Sequence, residues 1–240
     1  MTRVALRLST SSGCSLAING YPRFQYDARG GGGDGMLMAG SGCSGGGPLL
    51  CQFPPEHLVI PPLNWRSCRL LGLPLPPGLE IRIEPLRLEG SLDPVLGALQ
   101  LHFQARFHFN AGAYRPPHLQ VEALLTTGTA EPAVHPRWGE LQGEPLDATG
   151  RGRLVGVARV PPCGDRWLDR WLGLPGEALA QLSVTLSGQE TIEKASLGHR
   201  AVVEGKACEG LARAAIEPAE HCIEFQHRGI ETGLKLQEGG

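Results

Sequence analysis

The chain has 240 residues, and its 22 basic side chains nearly balance its 24 acidic ones. Such a balance creates no strong field around the molecule, so no nucleic-acid partner is predicted. A chain of this length buries about 70% of the surface that its unfolded form exposes, which allows a real core. The 34 glycines and 20 prolines favour turns and strands over long helices.

The seven cysteines are scattered without a Cys-x-x-Cys pair, which is typical of reduced thiols in the cytosol. Arg7 interrupts the first apolar residues, so the N-terminal pattern is not that of a secretory signal. No apolar run approaches the roughly 18 residues that a membrane-spanning helix requires. These features predict a cytoplasmic protein and leave open an attachment at the periphery of a membrane.

A glycine-rich stretch over residues 30–47 is the first conspicuous feature along the chain. It contains matches to a dinucleotide-binding fingerprint at residues 40–45 and to a nucleophile elbow at residues 42–46. Both motifs require a helix directly afterwards, and Pro48 and the Phe-Pro-Pro at residues 53–55 prevent one. We therefore expect a flexible hairpin or loop here, with no cofactor and no catalytic residue.

Two segments far apart in the chain share one pattern. In residues 59–74 and again in residues 159–175, a strand-like ending meets two prolines, an Arg/Trp-rich stretch follows, and Gly-Leu-Pro closes the segment. The repetition predicts an internal pseudo-duplication with a short helix in each copy. In the second copy, Asp165 or Gly164 is a suitable N-cap, and Gly173 is a suitable C-terminal stop before Pro175.

Alternating apolar residues predict the main strands. Residues 99–110 alternate strictly between apolar and polar side chains, which indicates one long half-buried strand. Residues 79–83 alternate too, and Pro85 changes the phase, as at a β-bulge or a sheet edge. Further alternating sets begin at Leu119, Leu154 and Leu182, and Asp-to-Gly turns occupy residues 27–30, 93–97 and 147–150. The sequence therefore predicts an all-β, antiparallel, barrel-like or sandwich fold with two short helices.

Composition divides the chain near residue 187. Nineteen of the 20 prolines and all four tryptophans precede this position, and all three lysines follow it. We predict a β-rich domain over residues 1–187 and a weakly ordered tail over residues 188–240. The tail holds Cys208, His221, Cys222 and His227, but their spacing fits no recurrent zinc site, so no metal is predicted.

The candidate site residues come from the two Arg/Trp-rich stretches. They are Trp65, Arg66 and Arg69 in the first stretch and Arg166, Trp167, Arg170 and Trp171 in the second. The simplest interpretation is that both stretches plug the β core, with tryptophans inward and arginines in solvent. A second makes them lids over an apolar cavity, whose arginines face the carboxylate or phosphate of an amphipathic ligand. A third places them at a membrane interface, where Trp and Arg are both favourable.

Several short stretches carry a resemblance to known proteins. They are residues 26–28, 60–66, 72–79, 88–90 and 124–127, together with the second Gly-Leu-Pro. In these stretches, over residues 20–187, the chain resembles uncharacterised β-rich proteins of cyanobacteria and plant chloroplasts. That resemblance implies a photosynthetic cell and the cytosolic or stromal side of its membranes, and it implies no activity.

The leading functional hypothesis is non-catalytic: binding of a lipophilic small molecule, neutral or anionic, or docking at a photosynthetic membrane surface. The first alternative is a structural or assembly factor that binds a protein partner through the Pro-rich residues 71–78. The second is an enzyme whose polar residues line a barrel, with His102, His108 and Glu122 as the nearest candidates. Both histidines fall on the polar face of the long strand, where we expect solvent.

Overall fold

The computed structural model describes residues 3–38, 47–130 and 141–189. In these residues, thirteen strands form one sheet, with one α-helix, α1 (Arg166–Leu172), and a 3-10 turn at Pro55–His57. The strands are β1 (Arg3–Thr10), β2 (Cys14–Ile18), β3 (Phe24–Tyr26), β4 (Gly32–Met38), β5 (Leu49–Phe53), β6 (Leu58–Val59), β7 (Cys68–Leu70), β8 (Leu73–Pro74), β9 (Leu79–Asp93), β10 (Ala98–Ala111), β11 (Leu119–Thr126), β12 (Arg151–Val160) and β13 (Gly176–Gln189).

Eight strands form a closed ring of antiparallel pairings, in the order β1, β4, β5, β9, β10, β11, β12 and β13, and β13 returns to β1. The 14 residues of β13 pair with two strands in succession. Its second half pairs with β1, and its first half pairs with β2. Strands β3, β7 and β8 continue the sheet beyond β2. The predicted all-β antiparallel fold is confirmed.

The strongest sequence pattern gives one of the longest strands. In β10, Leu99 and Leu101 are fully buried, whereas His102 and His108 on the other face are exposed. The phase change at Pro85 is a β-bulge in β9, because the pairing with β10 shifts between Gln104 and Ala105. Alternation alone therefore located both this strand and the irregularity in its neighbour.

The predicted Asp-to-Gly turns also form. Asp93 Oδ1 accepts hydrogen bonds from the backbone N–H groups of Val95 and Leu96, at 2.9 and 3.0 Å, and Asp147 Oδ1 accepts one from Thr149 at 2.8 Å. The glycines that close the three turns, Gly30, Gly97 and Gly150, have φ values of 82°, 63° and 76°. A left-handed backbone is favourable for glycine, so each turn can close tightly.

Of the hairpin or loop expected over residues 30–47, the structure shows one strand of a hairpin, because β4 pairs antiparallel with the next strand, β5. Residues 32–38 form β4, which pairs with β1 along its whole length. Its glycines allow a close approach, because a Cβ on Gly35 would overlap the ring of Phe53, and one on Gly33 would overlap the carbonyl oxygen of His57. Both matches to catalytic and nucleotide motifs, at residues 40–46, lie outside the described residues.

Only the second of the two predicted helices forms. α1 covers the second Arg/Trp-rich stretch, but residues 64–67 in the first are a turn. Asn64 Oδ1 accepts hydrogen bonds from the N–H groups of Arg66 and Ser67, at 2.9 and 3.3 Å, and β7 begins directly afterwards. An asparagine that closes such a turn competes with a helix. The two segments do share a left-handed glycine, Gly72 and Gly173, in their Gly-Leu-Pro closures.

The sheet has two different ends. At the end where β9 turns into β10, which we call the closed end, Leu6, Leu37, Leu92, Leu99 and Leu186 are buried in one cluster. At the opposite, open end, β9, β11 and β13 begin, β2, β10 and β12 finish, and α1 joins β12 to β13. Helix α1 has seven residues, so no helix among the described residues could cross a membrane. The predicted tail lies outside the described residues beyond Gln189, and β13 includes residues 188–189.

Candidate ligand-binding cavity

Small side chains on three adjacent strands leave space inside the ring. Ala123 in β11 pairs with Ala158 in β12, and Ala158 pairs with Ala178 in β13. In the neighbouring row, Gly156 pairs with Ala180. All five residues face one cavity of about 390 Å³. Leucines at the same positions would fill much of that volume, so the pairing register of these small residues creates the hollow.

The cavity has the size and character of a ligand site. Its volume of 390 Å³ falls within the range of about 300–1,000 Å³ that is usual for small-molecule pockets. Its wall is almost entirely apolar, with the phenylalanines Phe103, Phe107 and Phe109 from β10 among its largest side chains. Apolar cavities in proteins stay free of water and accept apolar ligands. The site therefore suits a lipophilic molecule.

The three hydroxyl groups on the cavity wall already donate their protons to backbone carbonyls. Thr10 Oγ1 donates to the carbonyl of Ala28 at 2.6 Å, and Tyr26 Oη donates to that of Pro61 at 2.6 Å. Tyr21 Oη donates to the carbonyl of Trp171 at 2.8 Å. Burial, with smaller contributions from the neighbouring Cys68 and Cys14 thiols, raises the pKa of Tyr26 far above its usual range, so this hydroxyl stays protonated.

No charged side chain of the described residues lines this cavity. A carboxylate or phosphate inside it would lose its water and find no donor, because the hydroxyl protons are used and the wall holds no cation. The sequence-based expectation of arginines within the binding site is therefore not met by the cavity wall. An amphipathic ligand could keep its tail inside and its charged group outside.

The cavity reaches the surface at the open end. Its exposed lining residues are Val59 in β6, Pro76 in the loop before β9, and Trp171 in α1. Pro76 lies just before the start of β9, and Trp171 lies just before the start of β13, so both are at the open end. Helix α1 is thus one side of the opening, because Trp171 and Leu172 belong to the cavity wall.

Helix α1 is fixed at its first turn by Asp165. One carboxylate oxygen of Asp165 accepts hydrogen bonds from the N–H groups of Trp167 and Leu168, at 3.0 and 2.8 Å, and from Tyr114 Oη at 2.7 Å. The Leu168 N–H and the Tyr114 hydroxyl hold the pKa of Asp165 below its usual range. Burial and the bond to Asp165 raise the pKa of Tyr114 to about 12. Of the two predicted N-caps, Asp165 and Gly164, it is Asp165 that caps the helix, and the predicted stop at Gly173 is confirmed.

Asn19 fixes the last turn of α1 to the sheet. Its Nδ2 donates to the carbonyls of Leu172 and Gly173, at 2.6 and 3.0 Å, and its Oδ1 accepts from the N–H of Glu177 at 2.8 Å. One side chain therefore joins the helix to the start of β13. Gly176 must lack a Cβ, because that atom would overlap the Asn19 amide.

Four aromatic rings follow one another along α1, and we call them the aromatic row. Tyr114 meets Trp167 edge-on at 5.1 Å between ring centroids, Trp167 stacks on Trp171 at 5.5 Å, and Trp171 meets Tyr21 at 6.2 Å. Trp167 is 60% exposed and Trp171 is 40% exposed. The side of α1 that packs on the core consists of Leu168 and Leu172 instead.

The expectation that the tryptophans point inward is therefore wrong for α1. The two leucines already bury the helix, and the indoles stack on each other at the surface. Of the predicted site residues in this segment, Trp171 lines the cavity, while Arg166, Trp167 and Arg170 are exposed beside its opening and do not line it.

None of the three predicted residues in the first segment lines the cavity. Trp65 is 48% exposed, and the guanidinium carbon of Arg66 lies 4.9 Å from its ring centroid, an outward cation–π pair. Arg69 is exposed on β7. The segment contributes to the wall through its neighbours Leu63 and Cys68 instead. Burial raises the pKa of the Cys68 thiol.

The three enzyme candidates do not meet in the cavity either. His102, His108 and Glu122 are exposed and absent from its wall. His108 Nε2 lies 2.8 Å from Glu84 Oε2, in an exposed cluster with Arg106. No group of three or more His, Cys, Asp or Glu side chains that could hold a metal ion occurs in the described part of the chain.

Sequence reasoning missed the residues that position α1 and the residues that make the cavity. Asn19 and Tyr114 are isolated polar or aromatic residues in loops, and no local pattern connects them with a helix far along the chain. The wall alanines did leave a signal, because small residues alternate at Gly156 and Ala158 and again at Ala178 and Ala180. That signal becomes informative only once the pairing register is known.

Comparisons of the chain with models of known protein families, with curated proteins and with solved structures find no significant match. The resemblance to uncharacterised cyanobacterial and chloroplast proteins stays a prediction.

Proposed function

We propose that the protein binds a lipophilic small molecule, or the apolar tail of an amphipathic one, in the cavity of the β-sheet ring. The observation that carries this proposal is the apolar cavity of about 390 Å³ that opens beside α1. Its register-matched small residues keep the space free. The uncharged wall favours a neutral group inside, and the exposed Arg166 and Arg170 are available to an anionic group that stays outside.

A fluorescent lipid is a direct probe of this site. cis-Parinaric acid fluoresces in apolar surroundings and accepts energy from tryptophan, and Trp171 lies on the cavity wall. We expect saturable energy transfer from the protein to this probe and to its uncharged methyl ester. Replacement of Arg166 and Arg170 by glutamine should weaken binding of the acid more than binding of the ester, since the arginines attract only the charged form.

A cavity-filling variant provides the decisive comparison. Ala180→Phe places a ring inside the cavity and should reduce probe binding at least tenfold, while far-UV circular dichroism remains unchanged. Ala148→Phe makes the same substitution at an exposed turn at the closed end and should bind the probe normally. Equal binding by both variants, or no binding of either probe by the folded wild-type protein, would refute the proposal.

A further inference from the structure

We propose that the open end of the sheet is a docking face for an anionic lipid bilayer. The face consists of residues 19–23, 69–78, 111–118 and 161–175, the loops and α1 around the cavity opening. This proposal concerns the outer surface of the molecule, and it holds whether or not the cavity is occupied.

Large apolar side chains protrude from this face. Leu71 is 78% exposed and Leu73 is 70% exposed at the β7–β8 hairpin, and Trp167 and Trp171 are exposed on α1. A surface of this kind in a water-soluble fold marks a contact with a partner or a membrane. Tryptophan and tyrosine are both enriched at membrane–water interfaces, and the aromatic row contains both.

The hairpin tip presents its leucine at a conformational cost. Leu71 has a φ of 52°, in the left-handed region that is rare for non-glycine residues, and Gly72 follows with a φ of 83°. Most other residues at this tip would be equally exposed and less hydrophobic. At this tip Leu71 makes little contact with the core of its own chain, so its side chain is available to a partner outside the chain.

Charge on the same face selects an anionic partner. The face carries five exposed arginines, Arg23, Arg69, Arg115, Arg166 and Arg170, against two aspartates. Both aspartates are engaged: Asp165 caps α1, and Asp169 accepts the backbone N–H groups of Cys163 and Gly164 at 2.8 and 3.1 Å. Arginines around exposed leucine and tryptophan match the headgroups and the acyl boundary of an anionic bilayer.

Vesicle flotation tests the docking face with the full-length chain. We expect the protein to float with vesicles of phosphatidylcholine and phosphatidylglycerol and not with vesicles of phosphatidylcholine alone. Raising the ionic strength should weaken binding, because salt screens the exposed arginines. The double variant L71S/L73S and the double variant R166Q/R170Q should each bind the anionic vesicles at least fivefold less well.

Matched substitutions at the closed end provide the control. Val95 and Leu96 are 82% and 68% exposed in the turn between β9 and β10, so V95S/L96S removes similar apolar surface from the opposite end. That variant should bind vesicles like the wild-type protein. The cavity variant Ala180→Phe should also float normally, which separates docking from ligand binding.

Three results would overturn the proposal. If the protein binds neither kind of vesicle, the face would instead be a contact for a protein partner, for example one that binds the Pro-rich residues 71–78. Equal loss in V95S/L96S and in L71S/L73S would show that binding is not specific to this end. A dimer in sedimentation experiments that L71S/L73S abolishes, without vesicle binding by the wild-type protein, would assign the face to a second copy of the chain.

Discussion

Asn19 shows how much a single loop residue contributes to this fold. Its amide satisfies two carbonyls at the end of α1 and one N–H at the start of β13. Nothing in the neighbouring sequence marks it, because an Asn-Gly pair commonly predicts only a turn. The partners of Asn19 lie more than 150 residues away in the chain, so the role of this residue follows from the tertiary structure alone.

Replacement of Asn19 by alanine should destabilise the protein and loosen α1. The carbonyls of Leu172 and Gly173 would lose their donor, which costs about 1–3 kcal/mol when such groups stay partly buried. Chemical denaturation followed by circular dichroism measures the loss. Asn110→Ala, on the exposed side of β10, is the control, and an equal effect of both variants would contradict the role of Asn19 as a clamp.

Burial should also make Cys51 unreactive. Removal from water raises the pKa of this thiol to about 12, so almost none of it is thiolate at pH 8. In the native protein, iodoacetamide at pH 8 should therefore label the half-exposed Cys163 well before Cys51, and urea should abolish the difference. Peptide mass mapping identifies the labelled positions. Labelling of Cys51 at the rate of Cys163 in the native protein would show that its surroundings are open.

At the scale of the element, α1 illustrates what a helical pattern can and cannot predict. Its limits follow from local chemistry, since Asp165 and Gly173 have the properties of a cap and a stop. Hydrophobicity alone does not predict which side of the helix is buried, because tryptophan and leucine are both suitable for packing against a core. The structure buries the leucines and uses the indoles to form the aromatic row.

Because Leu168 lies on the buried side of α1 and Arg166 on the exposed side, alanine should have a large effect on stability at the first residue and a small one at the second. Leu168 is fully buried, so Leu168→Ala should lower the free energy of unfolding by about 2–5 kcal/mol. The exposed Arg166 should tolerate alanine with a change of about 0.5 kcal/mol or less. Urea denaturation distinguishes the two. A small effect of Leu168→Ala would mean that α1 does not pack on the core as described.

For the whole molecule, the sequence predicted strands more successfully than the space that they enclose. Alternation and turn chemistry are local, so β9, β10, β11 and three turns could be located in advance. Closure of the ring depends on pairs such as Leu8 and Leu186, which no local pattern connects. The cavity is even harder to predict. Its volume is the small difference between the volume that the ring encloses and the volume that the inward-facing side chains fill.

Because the cavity is empty space, the substitution Ala→Val should change the stability of the protein in opposite directions at two buried sites. Ala158 faces the cavity, so Ala158→Val should fill empty space and stabilise the protein by about 1 kcal/mol. Ala105 is fully buried and is not among the residues that line the cavity, so Ala105→Val should force its neighbours apart and destabilise the protein by about 1–3 kcal/mol.

Thermal and chemical denaturation of the two variants measure these signs, with parinaric acid binding as a second readout. We expect Ala158→Val to weaken binding of the probe as it gains stability, because the added methyl groups occupy the volume that the probe needs. Destabilisation by Ala158→Val of the same size as that by Ala105→Val would mean that the ring is packed where the structure shows a hollow. Binding in the cavity would then have no physical basis.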